Sequence, residues 1–231
     1  MGPGSVFYNK SMILFQDEWI LVISKPAGLL SIRDGYNPNL PTIQGVLEPK
    51  LGKLWMIHRL DKDTSGIMVL ARTSEAHKNL DRQFAERKVR KIYYAICVGV
   101  PEWDEILIQS PLRVNGDRKH RTVVDFEHGK PAETHVRVIS RYGFYTWVEV
   151  HPHSGYTHQI RAHLSSIGYP LLGDSLYRIP PNCAVIPPKA ENLPAFPRVA
   201  LHAYALTFSH PNSGEEITFT APLPEDFSSL L

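Results

Sequence analysis

The chain has 231 residues, of which 43% are hydrophobic and 21% charged, so one large globular domain with a proper core is expected. Its net charge of +2 gives no overall attraction to nucleic acid, and its longest apolar runs, such as Trp19 to Ile23, are too short to span a bilayer. The two cysteines, Cys97 and Cys183, form no Cys-x-x-Cys pair; they fit a reducing cytoplasm, with a buried thiol at Cys97.

Met1, Gly2, Pro3, Gly4 and Ser5 read as a cloning remnant, and no secretory signal is read after them, which leaves residues 6–231 as one expected domain. Ser11 to Gln16 and Trp19 to Ser24 read as a β-hairpin joined at Asp17 and Glu18 and ending at Lys25-Pro26-Ala27-Gly28. A loop follows from Arg33 to Pro41, then a short helix from Thr42 to Lys50. Gly66 to Ala71 reads as a strand. Thr73 or Ser74 can cap a helix to about Arg87, with Ala76, Leu80 and Phe84 on one face. Lys91 to Val100, Ala132 to Ser140 and Phe144 to His151 read as strands. His158 to Ile167 reads as a helix with Ile160, Leu164 and Ile167 on its apolar face. Pro180 to Pro197 holds six prolines and must be irregular. Ala200 to Ser209 and Glu216 to Ala221 form a last hairpin. Strands outnumber helices without βαβ alternation, which predicts an α+β fold on a mainly antiparallel sheet.

Charge is clustered. Arg87, Lys88, Arg90 and Lys91 form one basic group; Arg113, Arg118, Lys119, His120 and Arg121 form another, beside the turn residues Asn115 and Gly116. The plain reading of both is a solvated face.

The most informative stretch is His58-Arg59-Leu60-Asp61-Lys62-Asp63-Thr64-Ser65-Gly66, a polar loop at the mouth of a strand. Asp61, Asp63, Ser65 and Gly66 match the opening of a calcium loop, but the twelfth position, which needs a bidentate Glu, is Arg72. His151, His153, His158 and His163 offer no zinc spacing, since His158 and His163 fall on different helix faces and no cysteine accompanies them. No Gly-rich phosphate loop is present, so neither metal nor nucleotide cofactor is expected.

Taken with six further segments, the loop resembles the signature of the RluA family of pseudouridine synthases. The others are Ser24-Lys25-Pro26-Ala27-Gly28, Lys91-Ile92-Tyr93-Tyr94-Ala95, Gly129-Lys130-Pro131-Ala132, Gly155-Tyr156-Thr157-His158-Gln159-Ile160-Arg161-Ala162-His163, Pro170-Leu171-Leu172-Gly173-Asp174 and Leu201-His202-Ala203. They keep the family's order from about Met12 to Pro222. Tyr156 stands where the family usually has Arg, which leaves the role of that position open.

The resemblance implies the pseudouridine-synthase fold, a long mixed, mainly antiparallel sheet with a central active-site cleft, without a preceding S4-like RNA-binding domain. It implies isomerisation of uridine in structured ribosomal or transfer RNA, by a cytoplasmic monomer that needs no cofactor. Asp61 becomes the catalytic carboxylate, since such a group can attack carbon or stabilise a cation. Arg161 pairs with it and favours its charged form. Tyr93 is the ring against uracil and a possible proton acceptor. His58 and Arg59 meet the substrate, with the planar Arg59 filling the space that a flipped base vacates. Leu201 lies under that base. A catalytically silent RNA-binding module of the same fold is the alternative, against which the intact Asp61, Tyr93 and Arg161 argue.

Overall fold

The structure, a computed structural model, describes residues 9–35, 37–180 and 188–231. The expected remnant at Met1 to Ser5, Cys183 and part of the proline-rich run lie outside the described residues. The chain divides into two compact units, Met1–Lys91 with Ala203–Pro224 and Ile92–His202 with Glu225–Leu231.

In the first unit, strand Ile13–Gln16 turns back into Ile20–Lys25. Asp17 makes the turn, its Oδ1 accepting the amides of Trp19 and Ile20 at 2.7 Å each. Ile20–Lys25 runs antiparallel to Ser65–Ala71, whose seven residues are all buried. A strand covered on both faces reads as a continuous apolar run rather than an alternation. Helix Ser74–Ala85 lies against it, capped by Thr73, whose hydroxyl accepts the Ala76 amide at 3.1 Å. Strand Leu201–Ser209 lies beside Ser65–Ala71 and pairs in turn with Glu216–Thr220. Gly66 makes that neighbour possible. Its φ is +119°, and a Cβ there would come within 2.2 Å of the Ala203 carbonyl oxygen. Helix Ile43–Leu51 is capped by Thr42.

In the second unit, Arg90–Val98 pairs with Tyr145–Pro152, that strand with Thr134–Tyr142, and the last with Glu105–Ile108, all antiparallel. Tyr145–Pro152 alternates between buried and half-buried residues, as a strand with one covered face does. Helix Gln159–Ser166 sends Ile160 and Leu164 into a core with Ala95, Cys97, Val136, Val148 and Val150. Burial pushes the Cys97 thiol up to about 12, so it stays protonated. A short helix, Glu225–Ser228, closes the unit with Phe227 fully buried and Asp226 gripped by Arg198 at 2.6 and 3.0 Å.

The expected elements are present within a few residues of their predicted ends. Four strands were not foreseen: Trp55–Met56, Glu105–Ile108, Leu112–Arg113 and Val123–Val124. Among the described residues, no helix is long and apolar enough to cross a membrane.

Candidate active site

Asp61 sits half-buried in the irregular stretch between Trp55–Met56 and Ser65–Ala71. The backbone on each side of it is fixed. On the N-terminal side, the Ser31 hydroxyl accepts the Leu60 amide at 3.0 Å and donates to the Leu60 carbonyl at 2.7 Å. On the C-terminal side, the Lys62 carbonyl accepts from the Gly28 amide at 2.9 Å and from the Lys25 ammonium at 3.0 Å. The Thr64 amide closes a turn onto the Asp61 carbonyl at 3.1 Å. Lys25 is fully buried, a costly place for a charge unless its donors are paired. It donates also to the carbonyls of Leu29 at 2.8 Å and Pro26 at 3.0 Å. The segment Lys25-Pro26-Ala27-Gly28 is thus the socket into which the Asp61 loop is plugged.

His58 and Arg59 precede Asp61 in the same loop. The Arg59 side chain is exposed. His58 is tied inward: its Nε2 accepts the Val69 amide at 3.1 Å, and its ring stacks on Phe84 with centroids 4.7 Å apart. Burial, with the charge of Lys91 second, pushes the imidazole down to about 3. The ring is therefore neutral at physiological pH and carries its proton on Nδ1. Lys91 is itself pushed down to about 8 by burial and by Arg87.

The other expected site residues belong to the second unit. Arg161 leaves helix Gln159–Ser166 and grips Asp174 with Nε at 2.7 Å and Nη2 at 2.9 Å, a bidentate pair only 11% and 0% exposed. Asp174 is held in turn by the amides of Leu176 at 2.9 Å and Tyr177 at 3.0 Å. The guanidinium also lies 5.0 Å above the Tyr177 ring. The Tyr177 hydroxyl accepts the Thr122 amide at 2.9 Å and meets His158 Nδ1 at 3.1 Å. His158 takes the left-handed φ of +57° that begins the helix. Tyr93, on Arg90–Val98, packs part-buried against the same apolar core that contains Leu201, itself 4% exposed.

The other three histidines weighed for zinc have their own partners. His151 meets Glu149 at 2.9 Å, His153 meets Glu133 at 3.7 Å, and His163 bridges Thr134 and the Ser110 carbonyl. The basic groups are partly neutralised: Arg90 pairs with Glu216, Lys88 with Glu86, Arg113 with Asp125 and Arg121 with Asp117. Sequence reasoning quoted the segments that hold Asp174 and Lys25 but gave those residues no part in the site. It did not reach Ser31 at all, because no local signal marks a serine whose two partners lie 29 positions away.

A family profile described as RNA pseudouridylate synthase matches residues 19–166. The ribosomal large subunit pseudouridine synthase D of Pseudomonas aeruginosa is 42% identical over 95% of this chain, which spans 70% of that protein. For the enzyme of the same name in Neisseria meningitidis serogroup A the identity is 39%, and the chain spans 60% of it. The dual-specificity RNA pseudouridine synthase RluA of Salmonella typhi is 37% identical over 91% of this chain and 92% of its own length. Two solved human structures, RNA pseudouridylate synthase domain containing 4 and domain containing 1, superpose with TM-scores of 0.73 and 0.74 at 28% and 27% identity. Each match covers 97% of this chain, and 92% and 87% of theirs. An α+β chain built on antiparallel strands, with Asp61 fixed at the mouth of Ser65–Ala71 and a family match that runs through that loop, belongs to the RluA family of RNA pseudouridine synthases.

Proposed function

We propose that the chain isomerises specific uridines in structured ribosomal RNA, transfer RNA or both, with Asp61 as the catalytic carboxylate. One observation carries the choice of Asp61: the backbone is bonded on both sides of it, to Ser31 before and to Lys25 and Gly28 after. A carboxylate carried on so fixed a backbone is suited to meet one carbon of a bound ribose or base. The names of the relatives, one set ribosomal and one dual-specificity, support ribosomal RNA and a second kind of RNA site.

In the reaction the N1–C1′ bond breaks, the uracil turns, a C5–C1′ bond forms, the hydrogen on C5 leaves as a proton and the freed N1 takes one up from water. Atoms balance without a cofactor. In this proposal Arg161 pairs with Asp61, its planar fork held in one orientation by Asp174. Tyr93 faces the uracil and takes up a proton, Leu201 lies beneath the base, and Arg59 fills the gap left in the RNA. His58, neutral and wedged against Phe84, shapes the loop on which Arg59 and Asp61 meet the substrate. The exposed Arg118 and Lys119 contact the phosphate backbone. Replacing these two and Arg121 with Gln then flattens the salt dependence of RNA binding.

The test is Asp61→Asn on RNA tritiated at uracil C5. The variant should release no label above background and keep its RNA affinity, because an amide neither attacks carbon nor offsets positive charge. Asp63→Asn, in the same loop, should keep most activity. Substantial release by folded Asp61→Asn protein would overturn the proposal, and a silent RNA-binding module would release nothing even with Asp61 intact.

A further inference from the structure

Phe126 is 80% exposed, while the next most exposed large apolar side chains among the described residues, Leu107 and Phe144, reach 48% and 44%. A phenylalanine gains nothing from water, so a ring held out in it invites a functional explanation. The ring is not on a loose tip. It occupies a turn at residues 126–128 organised by Asp125, whose Oδ1 accepts the amides of Glu127 at 3.0 Å and His128 at 2.9 Å. The Asp125 carbonyl accepts the Gly129 amide at 2.9 Å, its own amide donates to the Pro111 carbonyl at 3.0 Å, and its Oδ2 meets Arg113 Nε at 2.6 Å. The hydrogen bond from His128, foremost among these partners, holds the Asp125 carboxyl below its ordinary range and so keeps it charged for all of them. Gly129 closes the turn so tightly that a Cβ would come within 2.2 Å of the Asp125 carbonyl oxygen. An aromatic ring is thus presented on a fixed mount, which lowers the ordering cost of binding.

Its surroundings suit a polyanion. Glu127 beside it is exposed, but the segment from Pro111 to Lys130 carries more cations than anions, with Arg118, Lys119 and Lys130 all exposed. A flat apolar ring on a segment with a surplus of cations matches an unpaired nucleotide, whose base offers a face to stack on and whose phosphate offers charge. A base inside a duplex has both faces covered by its neighbours and offers none.

Resting on the reading that the chain acts on RNA, we infer that Phe126 is a stacking platform for an unpaired nucleobase of the RNA substrate, outside the uridine that reacts. The experiment uses the whole chain and a stem–loop RNA from which it releases the C5 label. Phe126→Ala should weaken the Kd for the stem–loop roughly tenfold, the effect of losing one stacked base. The single-turnover rate at saturating RNA and the Tm should not move, since the ring touches little of the protein. Phe126→Tyr should bind like the parent, whereas Phe126→Leu, apolar but not flat, should bind like the alanine variant. Phe126→Trp should keep its affinity, and its fluorescence should be quenched by the stem–loop but not by a blunt duplex of equal length. Parent-like affinity in either the alanine or the leucine variant overturns the inference. So does a change in self-association with RNA affinity unaltered, which would make the ring a protein contact. If the parent binds RNA but never releases label, the isomerase reading fails while the comparison of Kd values still decides the role of Phe126. If it binds no RNA, both fall.

Discussion

Ser31→Ala tests how much the fixed backbone around Asp61 matters. The Ser31 side chain lies in a residue only 3% exposed and serves both polar backbone atoms of Leu60, itself 5% exposed. Alanine leaves one buried N–H and one buried C=O without partners, each at a cost of about 1–3 kcal/mol. A total of about 3 kcal/mol follows, or roughly 6–12 °C in Tm for a chain of this size. A displacement of about 1 Å at a reacting group can cost on the order of a hundredfold in rate, so kcat should fall well beyond the loss of folded protein. RNA affinity should stay near that of the parent. Urea midpoints at unchanged slope give the stability, and C5-label release gives kcat. Ser31→Thr, which keeps the hydroxyl, should recover most of both. A stability loss below about 1 kcal/mol with full kcat would show that the loop is held by other means, and the positional argument for Asp61 would lose its basis.

Two further outcomes are expected. Asp174→Asn keeps an acceptor for the Leu176 and Tyr177 amides but removes the fully buried charge that Arg161 grips, at a cost of about 3–5 kcal/mol by chemical denaturation together with lost turnover; a loss under about 1 kcal/mol would refute the pair's importance. His58 has its folded-state value pushed from 6.5 to about 3, so between those values the unfolded chain binds the extra proton and stability falls as pH falls. His58→Gln should lose stability less steeply than the parent across that window, by up to about 1.4 kcal/mol per pH unit, and equal slopes in denaturation midpoints would contradict the burial argument.

Much of this was legible in the chain because local chemistry decided it. Thr73 and Ser74 announced a helix start, with Thr73 proving to be the cap, and the run from Gly66 to Ala71 announced a strand. The Asp61 loop stood out because it was polar and ended on a glycine at the mouth of a strand. The rest depended on partners distant in sequence. Lys25 was quoted only as part of a motif, and only the fold brings the carbonyls of Leu29 and Lys62 to it. The ribbon Leu112–Arg113 with Val123–Val124 has two residues a side, too few for any periodicity to register. Arg161 reads as a solvated helix residue until the turn at Gly173 delivers Asp174. Phe126 was invisible for the opposite reason, since composition places a phenylalanine in the core.

The interleaving of the two units along the chain sets an order of events on the ribosome. Residues 1–91 emerge first, yet Ser65–Ala71 must wait for Leu201–Ser209, and everything from Ile92 to His202 is made in between. At roughly 5–20 residues per second, an apolar strand edge stays open for several seconds before its neighbour exists. The nascent chain is thus a candidate client for a chaperone during that interval, and a pause placed before Leu201 should raise misfolding more than the same pause placed after Ser209.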